Sequence, residues 1–170
     1  MPINKRFETI RSVSSLTHAH VRSVIACFYY VEFAIRLIKK ADKFTAYADT
    51  AALVKNYLKE ANVSQHEISI FDRLLTADIS TETEETIFSA GYVLHTLEAS
   101  IWCLLTSDNY SEAVLKAVNL GQDTDTTAAV TGGLAALAFG FDNIPTKWIQ
   151  MLARKDDIAD LADRLSSGFS

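Results

Sequence analysis

Three observations predict an all-α fold. Apolar residues recur at three- and four-residue steps through most of the 170 residues. Prolines number two, Pro2 and Pro145, which leaves a long interior free of the residue that breaks helices. No stretch alternates apolar and polar residues for long enough to make a convincing strand. The expected architecture is an orthogonal helical bundle forming one domain over residues 1–170, a size that buries roughly 70% of the unfolded surface.

The elements follow in order. A short helix is expected around Lys5 to Ser12. Thr17 is a candidate cap for a long helix reaching about Lys40, along which Val21, Val24, Ile25, Phe28, Val31, Ile35 and Ile38 recur at helical spacing. Lys39 and Lys40 at its end suit the negative pole of the helix dipole. Phe44 to Glu60 repeats the pattern through Tyr47, Ala51, Val54 and Leu58. A charged connection, Glu60 to Glu67, leads to a shorter helix near Glu67 to Leu75, and Thr81 to Glu85 is a polar, acidic loop. Helices then follow over Tyr92 to Leu105, Tyr110 to Leu120 and Thr127 to Phe139. Pro145 opens a short helix carrying Trp148, and Asp156 to Leu165 closes the fold. Gly132 and Gly133 each cost a helix about 1 kcal/mol relative to alanine. The helix that holds them needs tertiary packing to persist, and its small side chains place it at the centre of the bundle.

Charge and composition narrow the function classes. Acidic residues number 21 against 16 basic, a net charge of −5, and the basic residues are scattered rather than clustered as phosphate binding requires. No nucleic-acid partner is expected. Cys27 and Cys103 are too few and too isolated for a disulfide framework or zinc knuckle and read as small core hydrophobes, which points to a reducing, cytoplasmic home. Residues 1–11 lack the apolar centre of a signal peptide. The small, apolar stretch Ala128 to Phe141 is shorter than the roughly 20 residues that span a bilayer, so no membrane partner is expected.

The most informative stretch is Gly121-Gln122-Asp123-Thr124-Asp125-Thr126-Thr127. Asp123 and Asp125, two apart, and the hydroxyl of Thr126 form a compact set of hard oxygen donors, suited to Mg²⁺, Mn²⁺ or Ca²⁺. Gly121 lets the chain turn before them. A plain helix cap at Asp125 or Thr126 is the competing reading of the same residues.

Residues 117–135, Ala-Val-Asn-Leu-Gly-Gln-Asp-Thr-Asp-Thr-Thr-Ala-Ala-Val-Thr-Gly-Gly-Leu-Ala, closely resemble the C-terminal metal motif of the ADP-ribosylglycohydrolase family, dinitrogenase-reductase-activating type. Gly91-Tyr92-Val93-Leu94-His95-Thr96-Leu97-Glu98-Ala99-Ser100-Ile101-Trp102 resembles the family's preceding helix. Ser14-Ser15-Leu16-Thr17-His18 resembles its Ser/Thr-His segment, and Ile144-Pro145 with Trp148 its tail. The resemblance implies that Asp123, Asp125 and Thr126 are metal ligands, joined in the family by an N-terminal Thr-Asp-Asp run to hold two Mg²⁺ or Mn²⁺ ions. It implies that His18 touches the diphosphate or ribose of ADP-ribose, and that Gly91 and Tyr92 lie beside the adenine. Read without the family, His18 is a solvated turn residue and Tyr92 a core aromatic. His20 does not share a helical face with His18, which disfavours a zinc pair. His95 and Glu98 share one and could form an acid/base pair or, more simply, a surface hydrogen-bonded pair. Trp102 and Trp148 read as packing residues.

The sequence also departs from the family. It has no Thr-Asp-Asp; its Asp-Asp is Asp156-Asp157, and no glycine precedes Gly91. The chain therefore resembles the C-terminal portion of such an enzyme, with weak or single metal occupancy and no assigned catalytic residue. Two functions are carried forward. One is metal-dependent hydrolysis of ADP-ribosyl glycosidic bonds on proteins or small acceptors, completed by self-association or by a complementary N-terminal chain. The other is a catalytically incomplete module that binds ADP-ribose or a protein.

Overall fold

Helix α6 (Val93–Leu105) is the axis around which the other elements pack: Leu94 and every residue from Thr96 to Leu105 are buried. A helix buried on nearly all sides sits at the centre of a fold. The computed structural model describes residues 1–168, and among them the regular elements are all helical. In chain order the others are α1 (Ile3–Ser14), α2 (Val21–Ile38), α3 (Lys43–Glu60), α4 (Gln65–Ser69), α5 (Asp72–Leu75), α7 (Tyr110–Asn119), α8 (Thr124–Phe139), α9 (Thr146–Met151) and α10 (Lys155–Ser167). Among the described residues no helix is long and apolar enough to cross a membrane.

Helices α2, α3, α7 and α8 surround α6, and α1 packs on α2. The α1 contact is aromatic: Phe7 meets Phe28 edge-on at 5.1 Å between centroids and Tyr57 at the same distance. Beside it the buried carboxylate of Glu32 takes a bidentate pair from Arg6, at 2.6 and 3.0 Å, and a third contact from Arg36. Two lysines sit at the C-terminal end of α6, at its last turn and the residues just beyond it, where a helix leaves carbonyls without intrahelical partners. Lys43 donates to the carbonyls of Leu104 and Ser107, and Lys116 to that of Thr106 at 2.6 Å. Each places a positive charge at the negative end of the helix dipole.

Several expected boundaries move. Thr17 does not cap α2. The chain is still completing the last turn of α1 at that point, with the N–H of Thr17 bonded to the carbonyl of Ser14, and the cap is His20, whose Nδ1 accepts from the N–H of Arg22. The single helix expected at Glu67–Leu75 is two short ones, broken at Ile70-Phe71. The acidic loop contains short 3₁₀ turns at Ile79–Thr81 and Glu84–Thr86. Helix α8 is not central. It lies on α6, α7 and α2 with only Thr127, Thr131, Leu134 and Ala135 buried, and its opposite face is open, because α6 rather than the glycine-bearing helix has the bulk to fill the core.

Candidate functional site

Two segments meet in front of α6. One is Ser89-Ala90-Gly91-Tyr92, which leads into that helix; the other is Gly121-Gln122-Asp123, which leads into α8. The N–H of Asp123 donates to the carbonyl of Ser89 at 3.1 Å, and Ser89 Oγ donates to the carbonyl of Gly121 at 2.7 Å. Gly121 and Gln122 take positive φ, 79° and 58°, a tight turn that brings the aspartate back to this seam. Helix α8 starts at Thr124, earlier than the sequence pattern suggests.

Asp123 occupies the N-cap position but makes no side-chain cap hydrogen bond. Asp125 and Thr126 lie within the first turn, both exposed. The capping alternative is thus not realised by any of the three. Behind them the fully buried Thr127 carries a hydroxyl with no hydrogen-bond partner. Its backbone carbonyl accepts from Thr131 Oγ1 at 2.8 Å and from Ser100 Oγ at 3.4 Å, which fixes the first turn to α6.

Gly91 stands directly against Asp123: a Cβ added at Gly91 would lie 3.3 Å from Asp123 Oδ2. Tyr92 follows, 37% exposed, with its hydroxyl accepting from Arg22 Nη1 at 3.4 Å. Arg22 is itself held by Glu67 through bonds of 2.7 and 3.1 Å, which lower the Glu67 carboxyl from its usual range. Tyr92 meets the ring of His95 edge-on at 5.1 Å, and Phe88 lies 5.4 Å from the same ring. The structure therefore brings Gly91 and Tyr92 to the Asp123 loop. It places His18 on the exposed turn between α1 and α2, hydrogen-bonded to Thr17 Oγ1 at 3.0 Å. Among the described residues no hydrogen bond, ion pair or ring contact joins His18 to Gly91, Tyr92 or the loop.

His95 and Glu98 do not pair. Glu98 is buried, and Arg73 claims it at 2.9 Å, while His95 Nδ1 is buried without a partner. Burial pushes the Glu98 carboxyl up, and the Arg73 charge opposes the shift. Arg73 also donates to the carbonyl of Thr86 and pairs with Glu82, whose own carbonyl accepts from Trp102 Nε1. This latch ties the segment leading to Gly91 onto α6, and sequence reading misses it because Arg73 and Glu98 lie 25 residues apart. Trp102 is buried and Trp148 half-buried beside Tyr110, in line with packing roles. Both cysteines are free, and burial pushes the Cys103 thiol up to about 12.

The amino-acid sequence matches known proteins. The model of the ADP-ribosylglycohydrolase family matches residues 2–170. The chain belongs to the ADP-ribosylglycohydrolase family. Within that family it is similar to the ADP-ribosylarginine hydrolase Tri1 of Serratia proteamaculans, 35% identical over 116 residues that make up 66% of this chain and 32% of that protein. The Tri1 of Pseudomonas putida is 38% identical over 84 residues, 49% of this chain and 23% of that protein. The ADP-ribosyl-[dinitrogen reductase] glycohydrolase of Rhodospirillum rubrum is 33% identical over 67 residues, 39% of this chain and 23% of that protein. The chain thus spans about a third or less of the length of each of these relatives.

Proposed function

We propose that this chain works in the hydrolysis of the glycosidic bond joining ADP-ribose to an acceptor, and that the acceptor is an arginine side chain, as the names of the Serratia and Pseudomonas relatives suggest. The observation that carries the reading is the close approach of Asp123 to Gly91, which sets a carboxylate free of capping duty beside a backbone without a side chain. A ligand lying along Gly91 and Tyr92 meets that carboxylate at one end and an aromatic ring at the other. Arg22 fixes the tyrosine hydroxyl, and His18 is assigned to the phosphate or ribose side.

Mg²⁺ or Mn²⁺ suits the oxygens of Asp123, Asp125 and Thr126, none of which is spent on capping the helix. When bound, such an ion orients and polarises the substrate. Among the described residues no group of three or more His, Cys, Asp or Glu is placed to hold a metal. The remaining ligands and the catalytic acid or base are therefore assigned to a complementary N-terminal polypeptide of the same family fold. The two free cysteines suit a reducing, cytoplasmic compartment.

The test is release of ADP-ribose from ADP-ribosylarginine protein by the purified chain, with Mg²⁺ or Mn²⁺ and with chelator, repeated after adding the N-terminal part of a Tri1 relative. Metal-dependent release that Asp125→Ala abolishes supports the reading; release indifferent to metal and to Asp125 contradicts it. A second reading rests on the donor set, two carboxylates and a hydroxyl with no third acidic ligand. It makes the chain a module that binds ADP-ribose without cleaving it. Saturable ADP-ribose binding lost in Tyr92→Ala, with no release under any condition, supports that alternative.

A further inference from the structure

Helices α9 and α10 stand apart from the core: no residue of either is buried. Between them and the bundle runs an apolar groove of about 670 Å³, lined by Tyr110, Phe141, Trp148, Ile158 and Ala162 among others. None of Gly91, Tyr92, Asp123 or Asp125 lines it. On α10 itself Ile158, Leu161 and Leu165 are 54, 62 and 62% exposed. They recur at steps of three and four, which aligns them in one seam.

We propose that this seam is a self-association surface on which α10 of one copy lies antiparallel against α10 of a second. The charges select both the occupant and its direction. With Ile158 and Leu165 as the first and Leu161 as the fourth position of a heptad, Asp157 and Arg164 flank the seam on the same side. An antiparallel pair sets Asp157 of each copy beside Arg164 of the other, two opposite-charge pairs from one symmetric contact. A parallel pair sets Asp157 beside Ala162 of the other copy and gains no such pair. Asp156, Asp160 and Asp163 lie around the helix on the side away from the seam, so the antiparallel arrangement brings no like charges together. Within one copy Asp157 is held by Arg154 at 2.6 Å and Asp160 by Arg164 at 3.4 Å, all at the surface, where such pairs contribute little and can be re-formed across the contact. A helix of 13 residues is about 20 Å long, so the contact is modest and the dimer depends on concentration.

Sedimentation velocity over a range of concentrations tests this on the full chain. The wild type is expected to pass from monomer to dimer. Leu161→Asp, an exposed substitution, is expected to remain monomeric. Asp157→Arg and Arg164→Asp are each expected to weaken the dimer by about tenfold, and the double variant carrying both is expected to recover it. Circular dichroism on each variant checks that the helical content of the chain is kept. A wild type that is monomeric throughout, a dimer that survives Leu161→Asp, or a charge-swapped double variant no better than the singles overturns the proposal. None of these outcomes depends on metal or ADP-ribose, so the proposal stands or falls apart from the hydrolase reading.

Discussion

The carboxylate of Asp123 packs against the backbone of Gly91, with its Oδ2 3.3 Å from the place a Cβ would take. Gly91→Ala therefore pushes on the tip of a flexible side chain and leaves the core alone. The expected outcome is a change in stability within about 0.5 kcal/mol, as for surface positions, together with a clear loss of divalent-ion or ADP-ribose affinity. Calorimetric unfolding and a ligand titration on the same variant check the two halves. A stable variant that binds as the wild type does would detach Gly91 from the site.

Gly133 faces a tighter restraint. A Cβ there would lie 2.6 Å from Tyr30 Oη, whereas at Gly132 the nearest atom, Tyr110 Oη, is 3.2 Å away. Replacing a helical glycine by alanine gains about 1 kcal/mol, and overpacking costs about 1–3 kcal/mol. Gly133→Ala is expected to destabilise and Gly132→Ala to be close to neutral. Adding Tyr30→Phe, which removes the clashing hydroxyl and its 3.4 Å bond to the carbonyl of Val130, is expected to restore most of the loss. Urea unfolding of the three variants and the double decides it.

The pair Arg73–Glu98 gives a pH signature. Burial holds the folded Glu98 carboxyl above its usual range, and the unfolded value is about 4.3. A raised acid pKa means that the folded state keeps its proton longer, so this group favours folding most below the unfolded value. That contribution is lost as pH rises through the folded one. Glu98→Gln is expected to remove this component, so that its stability falls less steeply than that of the wild type from about pH 4 upward. Arg73→Met is expected to cost about 3–5 kcal/mol near neutral pH, since it strands a buried carboxylate. Parallel stability curves for wild type and Glu98→Gln would show that the carboxylate is not linked to folding.

Much of this molecule was legible in its sequence, and what escaped did so for physical reasons. Helical spacing located α2, α3, α6 and α7 because each presents a continuous apolar face. The start of α8 is hidden in the sequence because Thr124, Asp125 and Thr126 are poor helix formers; the N–H of Asp123, bonded to the carbonyl of Ser89, anchors the residue from which the helix starts. The break at Ile70-Phe71 was hidden because Ile68, Phe71, Leu74 and Leu75 keep helical spacing across it and all four are buried. Family resemblance sets Gly91 and Tyr92 beside an adenine; that Gly91 stands against Asp123 is seen in the structure alone. Arg22, Ser89 and Arg73 went unnoticed because their partners are distant in the chain. The cap at His20 is hidden for another reason, since its partner Arg22 is local but imidazole caps are uncommon beside Ser, Thr, Asp and Asn.

The loop at the start of α8 is proposed to bind a divalent ion. Titration of Mn²⁺ into the chain, followed by electron paramagnetic resonance, tests it most directly, with Asp125→Ala and Asp123→Asn as references. The expected result is one weak Mn²⁺ site that both substitutions abolish and that tightens when a complementary N-terminal polypeptide is supplied. Mn²⁺ binding unchanged by either substitution, or no binding with the complement present, would contradict it.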